Sequence, residues 1–114
     1  MLRTFFVLAL GAVASIATVQ AKTFPSYVTK AVEDAARPDK DRARDADRKP
    51  LDIMTLTGVK PGDSVADVGP GAGYYTRILS RIVGEKGKVY GFNPTWVADK
   101  FPKAAEGMKF LTEN

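Results

Sequence analysis

Residues 64–93, SVADVGPGAGYYTRILSRIVGEKGKVYGFN, contain the pattern that decides the fold. Ser64–Val68 is a compact apolar run that predicts a β-strand buried on both faces, and Lys88–Phe92 predicts a second strand. Between the two, Tyr74–Val83 repeats its apolar residues at helical spacing and predicts a helix. Strand, helix and strand within about 30 residues predict a right-handed β-α-β unit with parallel strands.

The glycine-rich run between the first strand and the helix carries the functional signal. Residues 67–73 read DVGPGAG, so an acidic residue closes the strand and a bare turn leads into a helix start. Such a turn lets a ligand approach the backbone closely, and free N–H groups at a helix start favour an anion. The run therefore predicts a site for a small organic ligand with a negatively charged end. The dinucleotide fingerprint G-x-G-x-x-G is broken at Tyr74, which counts against NAD or FAD.

The predicted helix also has a polar side and a defined end. Helical spacing places Arg77 and Arg81 off its buried side, and Gly84 stands where a left-handed C-terminal cap is expected. The buried side is expected to consist of Tyr75, Ile78 or Leu79, and Ile82.

Short helices are predicted before this unit. A first helix is expected over 26–36, with Ser26 as its N-cap, Tyr27, Ala31 and Ala35 on one face, and Pro38 beyond its end. A second is expected over 51–57, opened by Pro50, ended by Gly58, and buried through Leu51, Met54 and Leu56. A turn at 59–63 then leads into the strand. After the unit, we expect a helical turn at 97–101 and the beginning of a third strand at 108–111.

The charged residues are arranged with mixed signs. The chain of 114 residues has 17 Lys and Arg against 13 Asp and Glu, a net charge of +4, and the segment 37–49 is the most densely charged. Mixed signs disfavour a nucleic-acid or lipid patch and predict a solvated linker or exposed helix; the alternative is an arm that folds over a ligand. The sequence contains no Cys or His, which excludes disulfides, thiolate nucleophiles and Ser-His-Asp triads, and no metal site is expected.

The N-terminus has the layout of a secretory signal peptide. Arg3 precedes the uncharged run 5–19, and the segment ends in VQA at Ala21. Fifteen helical residues span about 22 Å, less than the roughly 30 Å of a bilayer core. We therefore predict cleavage after Ala21 and an exported protein, periplasmic or secreted, that begins at Lys22. The alternative is an uncleaved membrane anchor.

The run 59–94, together with RDADRKP at 44–50, resembles the class I S-adenosylmethionine-dependent methyltransferases. With the signal peptide, it is similar to a group of exported predicted bacterial methyltransferases. The resemblance implies a Rossmann-like α/β fold with S-adenosylmethionine as cofactor. Asp67 would hold the amino group of the methionine part, and the loop would pack against the methionine and ribose. Asn93 stands where the family has an Asp or Glu that binds the ribose hydroxyls. The implied cofactor-binding residues are Asp67, Gly69, Pro70, Gly71, Gly73 and Asn93.

The resemblance also sets the limits of the prediction. The family's sheet has seven strands, so two strands imply an incomplete sheet, and we expect the cofactor-binding portion of an enzyme, which need not be active alone. The predicted organisation is a signal peptide over 1–21, helices and a charged linker over 22–58, and a partial cofactor-binding domain over 59–114. The methyl acceptor and any catalytic base stay open. The alternatives are an NAD(P)-binding oxidoreductase fragment and a non-catalytic exported module with the same fold.

Overall fold

The computed structural model of the protein describes residues 20–112. Its elements, in chain order, are α1 (Ser26–Glu33), α2 (Asp39–Arg42), α3 (Asp45–Arg48), α4 (Pro50–Thr57), β1 (Ser64–Val68), α5 (Tyr74–Val83), β2 (Lys88–Phe92), α6 (Thr95–Lys100) and α7 (Pro102–Thr112). The predicted signal peptide lies outside the described residues except for its last two. Among the helices of this part of the chain, none combines the length and apolarity needed to cross a bilayer.

The predicted β-α-β unit is confirmed with the boundaries that the sequence gives. β1 and β2 pair in parallel, with Asp67 opposite Gly91, and α5 connects them. The backbone N–H of Gly69 donates to the carbonyl of Phe92 at 2.8 Å, so the pairing continues into the glycine-rich loop. Within residues 20–112 the sheet has these two strands, which agrees with the incomplete sheet that the sequence predicts.

The hydrophobic core lies between α5 and the two longer N-terminal helices. Ile78 and Ile82 of α5 are buried against Val28 of α1 and Met54 of α4. Burying a side chain of this size contributes about 1.5–3 kcal/mol, so this layer is the main stabilising contact of the unit. The turn at 59–63 and α4 follow the prediction, except that Leu56 is 85% exposed and takes no part in the core.

The sheet is covered on one face only, and the prediction of a strand buried on both faces is wrong for β1. Val65 and Val89 pack against the core, whereas Val68 on the opposite face is 74% exposed, and Tyr90 and Phe92 are exposed as well. The helices of the described residues cover a single face of the sheet. Strand residues alternate between the faces, so every second side chain is left in solvent.

Both ends of α1 differ from the prediction. Pro25 is the N-cap and Ser26 is already helical, with no side-chain cap. The helix ends at Glu33 rather than continuing to residue 36, because the carboxylate of Asp34 accepts a hydrogen bond from the backbone N–H of Ala36 at 2.8 Å. A carboxylate that binds the backbone two residues further on forms a turn that competes with the helix.

The C-terminal residues form helices instead of a strand. The predicted helical turn at 97–101 is part of α6, but the third strand predicted at 108–111 is wrong, since these residues belong to α7. Pro102 opens this helix, and Ala, Glu, Met, Lys and Leu, all good helix formers, follow it. Gly84 also differs: its φ of 65° and ψ of −166° lie outside the left-handed helical region.

Candidate functional site

A cleft of about 330 Å³ opens at the carboxyl end of β1. The glycine-rich loop forms one wall, and the charged segment 37–49 forms the other. Parallel α/β sheets place their ligands at this end of the strands. The residues that line the cleft are Asp41, Arg44, Arg48, Asp67, Gly69, Pro70, Gly71, Ala72, Tyr74 and Tyr75.

Asp67 is half-buried and faces this cleft, as predicted for a ligand-binding carboxylate. Its Oδ2 accepts a hydrogen bond of 2.7 Å from the hydroxyl of Thr76, which is buried in the first turns of α5. No hydrogen bond from another group of residues 20–112 reaches Oδ1. The carboxylate is therefore fixed in orientation and keeps one oxygen available to a ligand.

The loop presents bare backbone to the cleft at three of the predicted positions. Gly69, Pro70 and Gly71 line the cleft, and a methyl group built on Gly69 or Gly71 would meet no atom of the chain within 4 Å. Gly73 faces the other way, where a Cβ would stand 2.9 Å from Cδ1 of Leu111. Two of the three glycines thus leave space on the cleft side, and the third makes room for α7.

Asn93 lies behind the loop and does not line the cleft. Its Nδ2 donates to the carbonyl of Gly71 and its Oδ1 accepts from the N–H of Gly71, both at 3.1 Å. The side chain that was expected to bind ribose therefore holds the loop against the end of β2. Its role toward a cofactor stays a prediction.

The charged segment forms two short helices with paired charges, as one of the predicted alternatives has it, but it packs over the loop and buries Arg37 and Asp41, so its interpretation as a solvated linker is wrong. Arg37 is 1% exposed and donates through both Nη atoms to the carboxylate of Asp45 at 2.8 and 2.9 Å. The same carboxylate accepts a hydrogen bond of 2.5 Å from the hydroxyl of Tyr74, at the start of α5. These contacts hold α3 against the N-terminal end of α5, the helix that follows the loop.

This network shifts the pKa values of its members in opposite directions. The guanidinium of Arg37 and, less strongly, the hydroxyl of Tyr74 hold the pKa of Asp45 below its ordinary value of 3.8. Burial and the neighbouring carboxylate raise the pKa of Tyr74 to about 12. Asp45 is therefore charged, and Tyr74 protonated, over the whole physiological range.

A buried ion pair holds the charged segment against α5 at a second point. Nη1 of Arg77 donates to Asp41 at 3.0 Å and to the carbonyl of Ala72 at 2.9 Å. Both charged side chains are 7% exposed, so the prediction that Arg77 lies off the buried side is wrong. The pair joins α2, the loop and α5 in one contact.

Two further arginines of the segment reach the cleft, and the sequence-based prediction missed them. The guanidinium of Arg48 lies 4.7 Å from the ring centre of Tyr74, and that of Arg44 lies 6.0 Å from it. The hydroxyl of Tyr75 donates to the backbone carbonyl of Arg48 at 2.9 Å. The signal was present in the spacing, because Arg44 and Arg48 are four residues apart and so are Asp41 and Asp45. Such spacing predicts shared helical faces.

The residues of the cleft fit the amino-acid end of an organic cofactor. A fixed carboxylate, an open stretch of backbone and two aromatic rings surround the same space. No group of three or more acidic residues within 20–112 is placed to bind a metal ion. The carboxylate and the open backbone of the cleft suit recognition of a small molecule by polar and backbone contacts.

The fold, the loop and a match to a known family together define the class. The matched segment is the cofactor-binding part of a class I methyltransferase, an enzyme that uses S-adenosylmethionine as methyl donor. The family is described as protein-L-isoaspartate(D-aspartate) O-methyltransferase, and its model matches residues 47–96, from α3 to the beginning of α6. Neither the curated proteins nor the solved structures include a significant match to the chain.

Of the three hypotheses from the sequence, the match supports the methyltransferase. It covers both strands, α5 and the loop, which are the elements on which the resemblance depended. The substitution of Tyr74 for the third glycine of a dinucleotide fingerprint has a structural reason as well, since its ring is buried in the core and its hydroxyl holds Asp45.

Proposed function

We propose that the cleft at the end of β1 binds the methionine end of S-adenosylmethionine, with Asp67 as the acceptor for its amino group. The observation that carries the proposal is that this carboxylate and the bare backbone of Gly69 and Gly71 line one cleft. A charged acceptor gives hydrogen bonds roughly twice as strong as a neutral one, so a fixed carboxylate is suited to an ammonium group.

The loop supports the same assignment through its shape. Gly69 and Gly71 line the cleft, and a Cβ on either would meet no atom of the chain within 4 Å, which leaves room for a ligand against the backbone. Methyl transfer from a sulfonium centre needs mainly alignment of nucleophile, methyl and sulfur, and orientation of this kind can supply about 7–11 kcal/mol. In that chemistry this chain would hold the methyl donor in a fixed orientation. The identity of the methyl acceptor stays open.

We further propose that the protein is exported. The uncharged run 5–19 and the VQA motif support cleavage after Ala21, and both Gln20 and Ala21 are exposed and outside any helix. The mature chain would begin at Lys22 and carry a net charge of +3. Mass spectrometry of the protein recovered from the periplasm or medium should give Lys22 as the first residue; a cytoplasmic protein with residues 1–21 retained would refute export.

The proposed partners are the cofactor and a methyl acceptor. Residues 37–49 combine both signs of charge and pair with each other and with α5, which does not favour nucleic acid as a partner. In this proposal residues 59–114 form the cofactor-binding domain, and 22–58 contribute helices and the charged segment that covers the cleft. Contact with a membrane would be limited to export.

Calorimetric titration of the full chain with S-adenosylhomocysteine tests the cofactor site. We expect saturable binding, no heat with NAD, and at least tenfold weaker binding for Asp67→Asn, since a charge-assisted bond is lost. The variant keeps an oxygen that can accept from Thr76, so its fold should be preserved. Asp99→Asn, an exposed carboxylate in α6, is the matched control. Equal affinities of the wild type and Asp67→Asn would show that Asp67 does not bind the ligand.

A further inference from the structure

The backbone N–H groups of the three glycines in the glycine-rich loop donate hydrogen bonds within the chain. The N–H groups of Gly69, Gly71 and Gly73 donate to the carbonyl of Phe92, to Oδ1 of Asn93 and to the carbonyl of Pro70, at 2.8, 3.1 and 3.0 Å. The sequence predicted that free N–H groups at this turn would bind the anionic end of a ligand. These three groups are not available for that purpose, which leaves an anion in the cleft the N–H groups at the start of α5 and the side-chain donors of the lining.

Arg44 and Arg48 are placed to supply side-chain donors. Both line the cleft, and neither forms a salt bridge with a carboxylate of residues 20–112. They differ in this from Arg37 and Arg77, whose guanidinium groups are paired with Asp45 and Asp41. A guanidinium that stacks on an aromatic ring keeps its edge N–H groups available, and planar donors of this kind match a carboxylate.

The charged groups of the cleft stand on different walls. Asp67 ends β1 on the loop side, whereas Arg44 and Arg48 belong to the charged segment on the other side. A ligand that spans the cleft therefore meets the carboxylate of Asp67 on one wall and two guanidinium groups on the other, where the second carboxylate of the lining, Asp41, is already paired with Arg77. The α-amino and α-carboxylate groups of an amino acid have the complementary charges.

We propose that Arg44 and Arg48 bind the α-carboxylate of the methyl donor's amino-acid part while Asp67 binds its α-amino group. The inference rests on the proposed cofactor site and adds to it the residues that recognise the donor's negative charge. The charged segment would then be a part of the donor site, held in place by the Arg37–Asp45 and Arg77–Asp41 pairs. A carboxylate of the methyl acceptor is the other source of the same chemistry, and the experiment separates the two.

The test compares two ligands that differ only in this carboxylate. The full chain and its Arg44→Gln and Arg48→Gln variants are titrated with S-adenosylhomocysteine and with its decarboxylated analogue, which keeps the amino group. We expect each variant to bind S-adenosylhomocysteine about tenfold more weakly, and to bind the analogue within about twofold of the wild type. Lys40→Gln removes one charge from the exposed face of α2, outside the cleft, and should change neither affinity. Arg44→Lys and Arg48→Lys should recover part of the loss.

The outcomes separate this inference from the proposed function. If the wild type binds neither ligand, the cofactor site itself is refuted, and the role of the arginines with it. If the wild type binds S-adenosylhomocysteine but both Gln variants weaken the two ligands equally, or weaken neither, the arginines do not bind the donor's carboxylate. Thermal unfolding of each variant shows whether the fold is intact, which is expected because both side chains lie at the open cleft.

Discussion

Asn93 and Gly71 exchange two hydrogen bonds across the carboxyl ends of the parallel strands. The side-chain amide donates to the Gly71 carbonyl and accepts from the Gly71 N–H, both at 3.1 Å. An amide side chain can do both, whereas an ionised carboxylate has no hydrogen to donate. This pairing gives a structural reason for Asn at a position where the resembling enzymes have an acidic residue.

Asn93→Asp should therefore destabilise the chain. The carboxylate loses the bond to the Gly71 carbonyl and places its charge against that oxygen, which we expect to lower the free energy of unfolding by about 1–2 kcal/mol. Urea unfolding followed by circular dichroism measures the change. Glu85→Gln, the reverse exchange of amide and carboxylate at an exposed residue, is the control. If Asn93→Asp instead kept full stability and bound S-adenosylhomocysteine more tightly, ribose binding would be the main role of this position.

Asp41→Ala should have a larger effect, because it leaves the buried guanidinium of Arg77 without its counter-charge. Removing one partner of a buried pair costs about 3–5 kcal/mol. Asp39→Ala is the comparison, because Asp39 lies two residues before Asp41 and forms an exposed ion pair with Arg42. Exposed ion pairs contribute about 0–1 kcal/mol. Chemical denaturation of the two variants compares them directly. Similar losses in both would mean that the Asp41–Arg77 pair does not hold the charged segment on α5.

Stability at low pH should depend on Asp45. Its pKa is lowered in the folded chain, chiefly by Arg37, so it contributes stability that is present above the unfolded value and is lost as the pH falls through the folded value. We expect the free energy of unfolding of the wild type to decline below about pH 4. In Asp45→Asn this decline should be smaller. Asp99→Asn should leave the decline unchanged. A pH profile of Asp45→Asn that parallels the wild type would contradict the coupling.

Tyr74 gives the corresponding prediction at high pH. Its pKa of about 12 lies above the ordinary value of 10.0, so the folded chain keeps the phenolic proton longer than the unfolded chain. The resulting stabilisation is complete below about pH 10 and is lost as the pH rises toward 12. Absorbance at the phenolate band should show one tyrosine titrating late in the folded protein, and Tyr74→Phe should abolish that step. Tyr90→Phe, an exposed tyrosine, should leave it in place.

The elements that the sequence predicts well are those with local causes. β1, α5 and β2 have the predicted boundaries, since Gly and Pro punctuate the chain and the apolar residues keep one period within each element. The cleft could be located for the same reason, because the end of β1 and the start of α5 are adjacent in the sequence.

The features that the sequence did not predict depend on residues far apart along the chain. Arg77 is buried because of Asp41, 36 residues earlier, and Tyr74 bonds Asp45, 29 residues earlier. Helical periodicity treats an arginine as solvent-facing and has no information on such partners. The exposed face of the sheet has the same origin, because it follows from which elements pack together rather than from local propensity.

Gly69→Ala separates backbone strain from contact with a ligand. Gly69 and Gly62 both have positive φ, 76° and 88°, and a Cβ on either would meet no atom of the chain within 4 Å. Alanine should therefore cost each variant a similar amount of stability, about 1 kcal/mol. Gly69 lines the cleft and Gly62 does not, so Gly69→Ala should weaken the binding of S-adenosylhomocysteine by tenfold or more while Gly62→Ala leaves its affinity unchanged. Paired thermal unfolding and titration measure both effects. Equal affinities in the two variants would show that the ligand does not pack against this part of the loop.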